Sequence, residues 1–244
     1  MNNLFDNTVL VKSNNLTKVY REYNQGIEGI ANANFIINRG ETVGLIGANG
    51  AGKSTLIKLI VGILEPDSGS VKINDIASGD FKRKSPHRYL GYSPETFFFV
   101  SKLTGWEYIE FLSSIYMKDM NEDKDISFIE IAKEINLYDN LNKLLTKYSQ
   151  GMLRKLSICT AIYFGTELII LDEPTNGLDP DSYIALRNIL TRIKSKNRTI
   201  LLSTHQMTFV DEVCDRLLVC KQGELFQPQK SNLTAEEVYK KIKN

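Results

Sequence analysis

Excess charge of either sign is almost absent: 30 Lys and Arg stand against 29 Asp and Glu, a formal net charge of +1 over 244 residues. Such a chain has no whole-molecule field to draw it onto nucleic acid or anionic lipid. Long apolar runs are missing too. The longest mostly apolar stretch, residues 56–64, contains Lys58 and Gly62. It falls well short of the roughly 18 residues that suggest a bilayer-spanning helix. The start, MNNLFDNTVL, has no basic region, apolar segment or small-residue cleavage site, so no secretory signal is expected. Cysteine is scarce. Cys159, Cys214 and Cys220 are odd in number and lack CxxC spacing, which argues against a disulfide framework or zinc site and for a reducing cytosol. Each lies in an apolar stretch and reads as a small core residue.

What remains is globular in character. Apolar residues make up 42% and charged residues 24%, unlike a disordered, collagen-like or membrane-spanning chain. The length allows one large domain or two small ones, each with a substantial core. Strand-like runs occur at residues 8–11, 34–37 and 42–46, followed by a helical stretch at 53–63, a turn at 65–69 and a strand at 70–73. Residues 104–147 differ, with Leu103, Trp106, Ile109, Leu112 and then Ile126, Ile129, Ile131 and Ile135 near helical spacing. The acidic patch 121–125 reads as a solvated loop. From residue 151 helices and strands alternate: helix 151–164, strand 168–171, helix 181–194, strand 199–203, helix 207–213, strand 216–220. That alternation predicts βαβ units and a mainly parallel sheet. Thr234-Ala235-Glu236-Glu237 is a capping-box pattern that opens a final helix.

Two segments carry chemistry. Gly47-Ala48-Asn49-Gly50-Ala51-Gly52-Lys53-Ser54 fits G-x-x-x-x-G-K-[ST] in full, between an apolar strand and a helix. Gly47, Gly50 and Gly52 let the backbone curl so that its N–H groups, those of Asn49 and Ala51 included, converge on phosphate oxygens. The following helix adds its positive end. Lys53 is expected on the β- and γ-phosphates, the Ser54 hydroxyl on Mg²⁺ and Thr55 on the α-phosphate. The second segment, Leu168-Ile169-Ile170-Leu171-Asp172-Glu173, is an apolar strand ending in two acids. Asp172 is expected to hold Mg²⁺, through water, and Glu173 to orient the attacking water.

With these motifs in order, the chain resembles the nucleotide-binding subunit of ATP-binding-cassette (ABC) transporters from about residue 8 to about residue 225. The resemblance implies an α/β fold. A phosphate-loop NTPase core with a mainly parallel sheet would carry an N-terminal antiparallel β subdomain and an inserted α-helical subdomain. It implies one domain over residues 1–244, with a catalytic core near 8–98 and 165–226, a helical subdomain near 99–164 and a C-terminal helix at 227–244. Tyr20 falls where the family stacks a ring on adenine, with Tyr23 as the nearby alternative. Tyr148-Ser149-Gln150-Gly151-Met152 resembles the signature written LSGGQ; Ser149 and Gly151 are retained and the other three depart. In the family this segment contacts the γ-phosphate of ATP held by the opposite subunit, and the Tyr-Ser-x-Gly-Met form resembles the drug-, antibiotic- and bacteriocin-exporter branch. Glu95 takes the place of the family's Q-loop glutamine, and a carboxylate there can still ligate Mg²⁺. Asn176-Gly177-Leu178-Asp179 resembles the D-loop, with Asp179 as the residue carried over. His205 matches the switch histidine, expected to bond the γ-phosphate and catalytic water and hold Glu173 in register. His87, in the basic run 82–88, reads as part of a solvated loop.

The implied cofactors are therefore ATP and Mg²⁺, and the implied partners are an integral membrane permease and a second nucleotide-binding subunit, with no nucleic acid. The implied place is the cytoplasmic face of the cell membrane. Phe97–Phe99, Trp106 and Tyr108 have two readings: an exposed surface for the permease, with Phe97–Phe99 nearer that role, or helical core, with Trp106 nearer that one. The rival class is a non-transport cassette ATPase, DNA-associated, translation-associated or devoted to cluster assembly. The first needs coiled-coil arms or a DNA-binding domain, and the second two tandem cassettes; neither feature is in the sequence.

Overall fold

The computed structural model describes residues 9–23, 26–80, 90–97, 99–100, 102–116, 126–228 and 233–243. The basic run 82–88 with His87, the acidic patch 121–125 and Phe98 lie outside the described residues. In chain order the first half contains β1 (Val9–Tyr23), β2 (Gly26–Asn38), β3 (Thr42–Gly47), α1 (Lys53–Ile60), β4 (Ser68–Ile73), β5 (Ile76–Ala77), β6 (Leu90–Ser93) and α2 (Gly105–Tyr116). The second half contains α3 (Phe128–Glu134), α4 (Gln150–Phe164), β7 (Leu168–Asp172), α5 (Pro180–Ser195), β8 (Thr199–Ser203), α6 (Met207–Val213), β9 (Arg216–Lys221), β10 (Glu224–Phe226) and α7 (Ala235–Lys243).

These elements form two sheets. One is antiparallel, in the order β2-β1-β4-β5. β1 and β2 far outrun the short strands expected at 8–11 and 34–37. Polar, Asn-rich stretches in both strands hide the extension. Asn15 and Asn32 adopt φ of 45° and 49°, a left-handed conformation that asparagine tolerates better than most residues. The Asn15 and Asn34 side chains bond across the irregular register there.

The second sheet runs β10-β9-β3-β8-β7-β6, and every neighbouring pair except β10–β9 is parallel. β3, β7 and β8 are buried at every residue. Both faces are covered, which explains their near-continuous apolar sequences. Leu168 and Ile170 face the core shared with α1 and the antiparallel sheet, while Ile169 and Leu171 face the core built with α4, α5 and α6.

Among the described residues between β6 and β7 lie the helices α2, α3 and α4, as expected. Trp106 meets Phe128 and Tyr138 edge-on, each at 6.1 Å. Phe97 meets Tyr108 edge-on at 5.8 Å, and Phe97 and Phe99 are half-buried against the same core. These two rings pack partly inward, and the exposed apolar side chains of this stretch include Val100, Phe111 and Ile115. Because β3, β8, β7 and β6 are parallel, their last residues Gly47, Ser203, Asp172 and Ser93 share one edge of the sheet. Ligands of open α/β sheets bind beyond that edge.

Candidate nucleotide site

The phosphate loop leaves β3 and enters α1 at Lys53. Gly52 makes the joint, with φ of 110°; a Cβ there would lie 2.3 Å from the Gly29 carbonyl oxygen. Only glycine meets both demands. A Cβ on Gly50 would meet nothing within 4 Å, so the loop backbone is open toward the cleft. Lys53 is nearly buried, and its Nζ donates to the carbonyls of Gly47 at 2.8 Å and Ala48 at 3.2 Å. Ala51 packs into the core beneath the loop.

The loop forms the floor of a cleft of ≈ 370 Å³. Tyr20, Asn49, Gly50, Gly52, Lys53, Ser54, Thr55, Glu95 and Glu173 all line it. Tyr20 is 48% exposed at the antiparallel-sheet end of the cleft. Glu28 and Gly29 line it as well. Sequence reading missed them because nothing in the pattern of β2 marks which residues meet the loop.

Asp172 and Glu173 end β7 in different conformations. Asp172 is 2% exposed and accepts a hydrogen bond from the Ser203 hydroxyl, its register partner on β8. Burial pushes its carboxyl above the ordinary range and the charge of Glu95 adds to this; hydrogen bonds from Ser203 and Ser54 and the charge of Lys53 oppose it. Glu173 has φ of 50°, a left-handed turn held by its N–H, which donates to the Ser203 carbonyl at 3.0 Å. That turn re-aims the chain at the strand end and sets the carboxylate on the cleft wall, bonded to His205 Nδ1 at 2.9 Å.

Ser54, Asp172 and Glu95 present oxygen only, the donor chemistry of a hard divalent cation such as Mg²⁺. Among the described residues no group of three or more His, Cys, Asp or Glu is arranged to hold a metal unaided. A cation shared between one or two acids, a hydroxyl and nucleotide phosphates needs no such cage.

Ser149, Gly151 and Asp179 do not line the cleft. Ser149 caps α4, its hydroxyl accepting from the Met152 N–H at 3.2 Å. A Cβ on Gly151 would lie 2.9 Å from the Gly177 carbonyl, so the two loops touch. Asp179 caps α5, accepting from the N–H and the hydroxyl of Ser182 at 2.9 Å each. It also pairs with Lys155 at 2.7 Å. That hydrogen bond, with the Ser182 N–H, holds its carboxyl well below the usual range. Lys155 and its neighbour Arg154, both nearly buried, were not foreseen; the available signal was two adjacent cations in a largely apolar helix.

The sheet order and the loop-to-acid geometry define an α/β phosphate-loop NTPase cassette. The chain belongs to the ABC transporter family, whose model matches residues 30–176. It is 33% identical over 221 residues to an uncharacterized ABC transporter ATP-binding protein of Nostoc sp., covering 88% of this chain and 65% of that protein. It is 35% identical over 193 residues to a fluoroquinolones export ATP-binding protein of Mycobacterium tuberculosis, covering 78% of this chain and 62% of the relative. The chain thus spans less than two thirds of the length of these curated relatives. A solved structure described as the ATP binding subunit of an ABC transporter matches with a TM-score of 0.78 and 30% identity, over 96% of this chain and 93% of that one.

Proposed function

We propose that this chain binds and hydrolyses ATP with Mg²⁺ and powers a separate membrane permease. The observation that carries the reading is Glu173, turned by a left-handed backbone onto the wall of the phosphate-loop cleft and bonded there to His205. In this reading Tyr20 stacks on the base, and the loop N–H groups of Asn49, Gly50, Ala51 and Gly52 with Thr55 bind the phosphates. Lys53 exchanges the Gly47 and Ala48 carbonyls for β- and γ-phosphate oxygens. Ser54, Asp172 and Glu95 hold Mg²⁺, which when bound neutralises phosphate charge. Glu173 accepts a hydrogen bond from the attacking water, and His205 keeps the carboxylate in place. Catalysis then rests on positioning and charge rather than covalent chemistry.

The residues outside the cleft gain a role if two cassettes pair head to tail. Ser149 and Gly151, at the start of α4, would meet the γ-phosphate held by the second subunit, with Asp179 shaping the D-loop between them. The boundaries inferred from the sequence accompany this reading: a core near 8–98 and 165–226, a helical subdomain near 99–164, and a terminal helix. No helix among the described residues is long and apolar enough to cross a membrane. The spanning partner is then a permease, and the chain works at the cytoplasmic face of the membrane. Export of a drug, antibiotic or peptide is supported by the Tyr-Ser-x-Gly-Met segment and by the name of the mycobacterial relative.

The test is steady-state ATP hydrolysis by the purified chain and its Glu173→Gln variant. The variant should bind ATP as the wild type does and turn over about 100-fold more slowly or less. Equal rates would remove Glu173 from its assigned role. Copurification in detergent with an integral membrane protein supports transport; copurification with nucleic acid or with soluble proteins alone overturns it.

A further inference from the structure

Arg154 is 8% exposed, on a helix whose neighbouring positions Leu153, Leu156 and Ile158 are apolar core. A guanidinium taken out of water is costly unless its donors are satisfied. Here backbone carbonyls satisfy them. Nη1 donates to Pro94 O at 2.7 Å and to Asp172 O at 3.3 Å, and Nη2 donates to Glu95 O. The three carbonyls come from two places: the segment leaving β6, and the last residue of β7. Those are the two stretches of chain that carry Glu95, on the cleft wall, and Asp172, next to Glu173 there.

The neighbourhood explains why a clamp is needed there. Up to Ser93, β6 is held by parallel pairing to β7, where Ser93 is opposite Leu171. It is also held against α4, through hydroxyls of Ser93 and Ser157 2.8 Å apart and through Gly91. Beyond Ser93 the ladder stops. Pro94 offers no N–H, and Glu95 is exposed at the cleft. Three carboxylates, Asp172, Glu95 and Glu173, act electrostatically on the Arg154 guanidinium. Its charge offsets part of their mutual repulsion, while its hydrogen bonds go to main chain.

We infer that Arg154 is a positioning residue: it fixes the Pro94–Glu95 backbone to the end of β7, so that the Glu95 carboxylate stands beside Asp172 at the cation position. The inference rests on the ATP-hydrolysis reading above. A planar fork that grips carbonyls of two strand ends suits arginine, and lysine, a point charge on a flexible stem, matches it poorly.

The test compares wild type, Arg154→Met and Arg154→Lys by ATPase kinetics across a Mg²⁺ titration and by the Mg²⁺-dependent rise in melting temperature with a non-hydrolysable ATP analogue. Arg154→Met should show that rise only at severalfold higher Mg²⁺; unfolding of the unliganded chain is the check on folding. For Arg154→Met, turnover should fall about tenfold to a hundredfold. The Mg²⁺ concentration for half-maximal rate should rise severalfold, and KM for ATP should stay within about threefold. Arg154→Lys should recover part of the Mg²⁺ response. A folded Arg154→Met variant with unchanged turnover and Mg²⁺ midpoint overturns the inference. If Arg154→Met does not fold, a double-mutant cycle of Arg154→Lys with Glu95→Gln decides. Coupled effects on the Mg²⁺ midpoint support action through Glu95, and additive effects overturn it. A wild type that hydrolyses no ATP overturns the proposed function and this inference together; a hydrolysing wild type with indifferent Arg154 variants overturns the inference alone.

Discussion

His205 Nδ1 lies 2.9 Å from Glu173 Oε2, although the two residues are 32 positions apart. Adjacent parallel strands, β7 and β8, end in register at Asp172 and Ser203 and so deliver the pair to one place. The histidine side chain is 57% exposed and the carboxylate 7%, so the ring covers the acid from the solvent side. His205→Ala should leave ATP binding intact and slow hydrolysis by about 100-fold, measured by steady-state phosphate release beside a nucleotide-binding titration. A His205→Ala variant with wild-type turnover would show that the contact does not organise the acid.

Gly91 marks the closest approach of β6 to α4. A Cβ there would sit 1.7 Å from the Ala161 carbonyl oxygen, and backbone cannot yield as a flexible side chain can. Gly91→Ala should therefore lose about 2–3 kcal/mol in urea unfolding. Gly50→Ala, with φ of 79° but nothing within 4 Å, should lose about 1 kcal/mol through its left-handed backbone alone. Equal losses in the two variants would mean that β6 and α4 can part at little cost.

Asp179 predicts a pH signature. Its folded-state pKa is lowered from 3.8, chiefly by Lys155, so it adds stability that is present above the unfolded value and lost as pH falls toward the folded one. The melting temperature of wild type should exceed that of Asp179→Asn by a constant margin from neutral pH down to about pH 5, and the margin should shrink below about pH 4. A margin independent of pH would show that neither the Lys155 pair nor the Ser182 bonds draw stability from the carboxylate's charge. The carboxylate is half exposed, so the margin should also narrow in high salt.

Local pattern was sufficient for some parts of this protein. The phosphate loop was legible because its glycines and Lys53 do local work, within one turn between β3 and α1. β8 and α6 begin and end where the sequence places them, and β7 differs by one residue, because strands buried on both faces read as apolar runs cut off sharply by polar residues. The lengths of β1 and β2 were not legible. Their extension depends on a long cross-strand ladder that tolerates Asn15 and Asn32 in left-handed conformations, and a single strand cannot announce its partner. Phe97 and Phe99 carry two readings in the sequence, and their half-buried packing against Tyr108 and the helical core depends on residues that no local pattern links to them.

The sequence by itself determined the chemistry: a loop able to wrap phosphates, a pair of acids at the end of an apolar strand, and a histidine after another. Tertiary structure alone decided the placement. Sheet order put Gly47, Asp172, Ser203 and Ser93 on one edge. It aimed Glu173 at the cleft through a left-handed φ, brought Glu28 and Gly29 of β2 over the loop, and set Arg154 across Glu95 and Asp172. These contacts join residues tens of positions apart. The partners of Arg154 are backbone carbonyls, which every residue carries, so no spacing of side-chain types can reveal them.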